Sequence, residues 1–118
     1  MMTLKFNESL ALVEKIESRH LLGKLIQQLN KDAALSGIDF MCAESLSAKE
    51  LLNEIYHLLL HLMANDFGSY LNFLYRVDIS EQTIKSIVDT DPEKIAQVIT
   101  LMVLKREWQK VFFRNKNQ

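Results

Sequence analysis

Along the chain, apolar residues recur at steps of three and four, the spacing of helices that bury one side. Leu10, Val13 and Ile16, with Leu12, share one side of a first helix, for which Asn7 is the N-cap and Glu8 the first-turn acid. Leu22, Leu25, Ile26 and Leu29 continue the period on nearly the opposite side. Two arrangements satisfy that change of phase. The helix breaks near Ser18, which would cap a second helix, or one long helix is covered on different sides in its two halves. The break is the expectation. Gly37 reads as the C′ residue ending this region, with Ile38 packing back on the last turn. The segment "GIDFMCAES" reads as an ordered connector laying Phe40 and Met41 on the core.

The second half of the chain carries four helix starts. In "LSAKEL", Ser47 and Glu50 form a capping box, and Leu46 and Leu51 form a hydrophobic staple. That helix is predicted to run to about Ala64. Asp66 caps a helix with Phe67, Tyr70, Leu71, Leu74 and Val77 on one side. Ser80 caps another, with Ile79 and Ile84 as its staple. In "DPEK", Asp91 is the cap, Pro92 takes the first helical position and Glu93 the first turn. The expected fold is all-α, a single domain over residues 1–118. It is a five- or six-helix bundle or orthogonal helical domain with a long C-terminal helix.

That last helix has two apolar stripes. Ile95, Val98, Ile99 and Met102 form one, which Arg106 interrupts. Leu101, Leu104, Trp108, Val111 and Phe112 form the other, on nearly the opposite side. A helix apolar on two sides must be sandwiched, within the domain or between subunits. Trp and Phe are enriched in interface cores. These five residues are therefore the candidate interface of a homodimer or of a complex with another protein. The internal alternative is that this half of the helix rests on another helix of the same chain.

Composition narrows the class. Three glycines and one proline in 118 residues are too few for the turns of an all-β fold. The net charge of −1 exerts no global pull on nucleic acid or anionic membrane. The single cysteine, Cys42, excludes an intramolecular disulfide and fits a reducing compartment. The N-terminal residues turn polar too early for a signal peptide. The most apolar stretches, Leu58 to Met63 and Ile99 to Leu104, fall well short of the roughly 20 residues that span a bilayer. A cytoplasmic protein is expected.

Candidate chemistry is sparse. His57 and His61 are four apart, and Glu54 precedes the first by three, so all three lie on one helix face and could share a metal ion. The same face lies opposite the stripe of Leu51, Ile55, Leu58, Leu59 and Leu62. That position suits a solvated surface better than an inward-facing ligand set. Glu17 and His20 repeat the Glu-x-x-His spacing at the expected break, without the further glutamates a di-iron bundle would need. Arg76 and Asp78 could hold a small anion, or tie a helix end to a turn. No G-x-S-x-G elbow or phosphate loop is present, and Cys42 has no sequence-local base. An enzyme is therefore not the leading expectation, and no cofactor is implied. Residues 105–118 carry a local charge of +4 against −5 for the remaining 104. Interleaved with Trp108, Phe112 and Phe113, that charge gives a weaker alternative, a grip on single-stranded nucleic acid.

From "YLNFLYRVDISE" through "LMVLKREWQKVFFRNK" the C-terminal half resembles small, uncharacterised all-helical proteins of Bacteroidetes bacteria. The resemblance implies a small cytosolic helical protein and carries no activity, cofactor or catalytic residue. The leading expectation is a non-enzymatic interaction or assembly protein, self-associating through its last helix. The alternatives are metal binding at Glu54, His57 and His61, and nucleic-acid binding by the basic tail.

Overall fold

Left-handed residues, only one of them glycine, close the first, second and fourth helices. The computed structural model describes residues 4–116, which form six helices and no strand. They are α1 (Leu4–Ser18), α2 (Leu22–Leu35), α3 (Ala48–Asn65), α4 (Phe67–Val77), α5 (Glu81–Lys85) and α6 (Pro92–Lys116). The radius of gyration, 13.5 Å, is that of a compact chain of this length. No helix is long and apolar enough to cross a membrane among these residues.

The change of hydrophobic phase after Ile16 is a true break. Leu21 N–H reaches back to Ile16 O, and His20 N–H to Glu17 O, the paired bonds of a Schellman terminator. His20 takes the C′ position with φ of 60°. Ser18 does not cap α2, as the sequence suggested. Its hydroxyl donates to Lys15 O in the turn behind it, and α2 starts at Leu22, with Leu21 in the N-cap position and no side-chain cap. The same terminator recurs twice. Gly37 (φ 75°) ends α2 with Ile38 N–H on Ala33 O, and Asp78 (φ 83°) ends α4 with Ile79 N–H on Leu74 O. Ile38 packs on the core, as expected of the residue after such a cap.

Asn7 does not cap α1, which starts at Leu4 and has Asn7 in its interior, but the last four helix starts match the sequence closely. Ser47 Oγ accepts from Glu50 N–H at 3.1 Å, and Ser47 N–H donates to Glu50 Oε1 at 2.9 Å. Both orphan groups of the α3 start are thus satisfied. Asp66 and Ser80 accept from the amides of Ser69 and Thr83, and Asp91 from that of Glu93. The connector before α3 is pinned from α2. Asn30 donates to Cys42 O at 2.9 Å and accepts from Cys42 N–H at 2.8 Å. Phe40 packs on the core there, but Met41 points to solvent, against expectation. One large side chain covers that stretch.

The sixth helix is the centre of the molecule and packs against α1, α2, α3 and α4. Packing within the same chain takes up most of the second stripe, as in the internal alternative. Leu101, Leu104 and Val111 are buried within the monomer. Trp108 is half-buried against the core, and only Phe112 of the five stands at the surface.

Candidate functional site at the C-terminal end of α6

The second and fourth helices end beside the last two turns of α6. There the apolar packing is interrupted by charge. On α2, Gln28 and Asp32 are one turn apart and 5% and 3% exposed. Both Gln28 contacts run from Nε2 to the Asp32 carboxylate, at 3.2 Å to each oxygen. From α6, Lys110 Nζ donates to Asp32 Oδ2 at 2.9 Å and to Arg76 O at 3.1 Å. Arg76 O belongs to the last turn of α4, where carbonyls lack intrahelical partners. The ammonium therefore caps α4 and neutralises Asp32 together.

Glu107 completes the cluster, fully buried one turn before Lys110. Lys110 Nζ lies 3.2 Å from Glu107 Oε1, near enough for an ion pair but not aligned as a hydrogen bond. As a carboxylate, Glu107 would have no aligned donor at either oxygen. Burial, and then the neighbouring Asp32 carboxylate, push its carboxyl up to about 9, against the pull of Lys110. That shift favours the neutral form of Glu107 at pH 7, and its carboxyl shares the Lys110 ammonium with Asp32.

Around this buried cluster the surface carries three further features. Arg106 pairs with Asp78, the left-handed residue after α4, and that pair holds the Asp78 carboxyl below the usual range. Arg76 and Asp78 share an open cleft of about 470 Å³ with Leu35, Ser36, Asn72 and Tyr75. Neither buried carboxyl lines it. Around Lys110, Trp108 meets Phe112 at a tilt and Phe112 meets Phe113 edge-on, with centroids 5.7 and 5.9 Å apart. Phe112 is 36% exposed and Phe113 59%.

The histidines stand apart, on the solvent side of α3 with Glu54. His57 Nδ1 meets Asn53 O at 3.0 Å, and His61 Nδ1 meets the Asn65 amide at 3.2 Å. Among the described residues no three His, Cys, Asp or Glu side chains are placed to hold a metal ion, Glu54, His57 and His61 included. Burial pushes the Cys42 thiol up to about 11, so it stays protonated at neutral pH. Two of the basic residues counted toward nucleic-acid binding, Arg106 and Lys110, are engaged with Asp78 and Asp32.

Sequence reasoning missed Asp32, Gln28 and Glu107. A signal was present for Asp32 and Glu107. Asp32 stands three residues after Leu29, and Glu107 falls between Leu104 and Val111, so each interrupts an apolar stripe at a core position. Comparisons with protein-family models, with curated proteins and with solved structures found no match to the chain.

Proposed function

We propose that the chain is a non-enzymatic interaction protein that associates with a second copy of itself through the aromatic end of α6. The observation that carries this reading is the ring cluster in which Phe112 and Phe113 are exposed beside the half-buried Trp108. It sits at the end of a helix whose other apolar positions are largely taken up inside the domain. A patch built on one helix face is self-complementary about a twofold axis, so two α6 ends can pair ring against ring. Aromatic side chains concentrate binding energy in such contacts.

Phe113 is the residue to change, because it is the most exposed of the three rings and contributes least to the core. Light scattering over a concentration series should show wild-type protein passing from monomer to dimer. Phe113→Glu should remain a folded monomer throughout. A wild-type chain that stays monomeric at every concentration contradicts self-association.

A further inference from the structure

The cluster beneath the aromatic end has an odd number of charges to reconcile. Two carboxyl groups are withdrawn from water beside one partly buried ammonium at one contact between helices. A buried net charge is costly, and the group responds by changing its protonation. One proton on the carboxyl pair makes the cluster neutral. The donors decide where it goes. Asp32 receives the two Gln28 contacts and the Lys110 bond, whereas Glu107 receives no aligned donor. A proton on Glu107 turns an unsatisfied buried carboxylate into a donor facing an acceptor.

We propose that Glu107 and Asp32 share one proton across the α2–α6 contact, and that this proton is a pH-sensitive latch holding the end of α6 against the ends of α2 and α4. Lys110 is the other half of the latch, because it joins Asp32 of α2 to the last carbonyls of α4. Of the helices packed against α6, α2 presents Asp32 to Glu107, and α4 presents the Arg76 carbonyl to Lys110. The charged groups that act on Glu107 are Asp32 and Lys110, and none comes from α1 or α3.

The direction of the pH effect follows from which state holds the proton. Between 4.5 and about 9 the folded chain keeps the Glu107 proton and the unfolded chain has lost it. The stabilisation is fully present below 4.5 and declines as pH rises, until Glu107 ionises near 9 and the latch opens. This device does not depend on self-association, and dilute monomer suffices to test it.

The test is carbon-13 NMR of the full chain labelled at glutamate side-chain carboxyls. One signal should hold its protonated position through neutral pH and move near pH 9, and Glu107→Gln should lack it. If every glutamate signal titrates in the ordinary range, about 4.3, the proposal is overturned. Urea unfolding read between pH 6 and pH 9 adds a second readout. Wild-type stability should fall across this range, and that of Glu107→Gln, whose amide keeps a neutral donor, should hold nearly level. Parallel profiles would also overturn the latch. The NMR measurement needs only wild-type protein, so it decides even if the variant does not fold.

Discussion

Arg106 and Lys110 are one turn apart on α6, carry the same charge, and each pairs with an aspartate from another part of the chain. Their surroundings differ. The Arg106–Asp78 pair is largely in water at the end of α4. In the Lys110–Asp32 pair the carboxylate is buried and the ammonium mostly so, the buried Glu107 carboxyl lies beside it, and Lys110 supplies a cap to α4 as well. In water an ion pair exchanges one set of good contacts for another and contributes little. Out of water, each member of the cluster depends on the others, and removing one leaves a charge with no solvent to take it. Two ion pairs of similar chemistry are thus expected to have very different consequences for stability.

The sharpest way to break this comparison is Lys110→Met, which keeps the bulk of the side chain and removes its charge. Asp32 would then be buried without its counter-ion, and urea unfolding at pH 7 should show a loss of about 3–5 kcal/mol. A loss no larger than that of a surface substitution would mean that water reaches Asp32. At the other extreme stands Asp78→Asn. Asparagine tolerates the left-handed conformation at position 78 and loses only the charge that Arg106 meets. Its unfolding midpoint should match that of wild type within experimental error. A clear drop would show that the exposed pair does more to hold α4 to α6 than its setting allows.

The parts of this architecture that were legible in the sequence are those set by local chemistry. The capping box at Ser47 and Glu50, the caps at Asp66, Ser80 and Asp91, and the glycine terminator at Gly37 each require a particular residue at a particular offset. Each stands where that offset placed it. The other two terminators were harder to see, because His20 and Asp78 adopt the left-handed conformation without being glycine. The role of α6 could not be settled from its own pattern. Two apolar stripes fit a dimer as well as a central helix, and only the positions of α1, α2, α3 and α4 around it decide. The buried cluster was least visible of all. Asp32 and Lys110 are 78 residues apart, and nothing local to either names its partner. The visible trace was a charge within an apolar stripe, which could equally have marked the edge of the stripe.

The most direct test of the shared proton is the unfolding of Glu107→Gln and Asp32→Asn, measured side by side in urea at pH 7. Both variants replace a carboxyl by an amide of nearly the same shape. If Glu107 holds the proton, Glu107→Gln should unfold above the wild-type midpoint, because the amide takes up no proton on folding at pH 7. Asp32→Asn, which leaves the Lys110 ammonium without its counter-ion, should unfold at a much lower urea concentration. The reverse order, or equal losses, would contradict the assignment of the proton to Glu107.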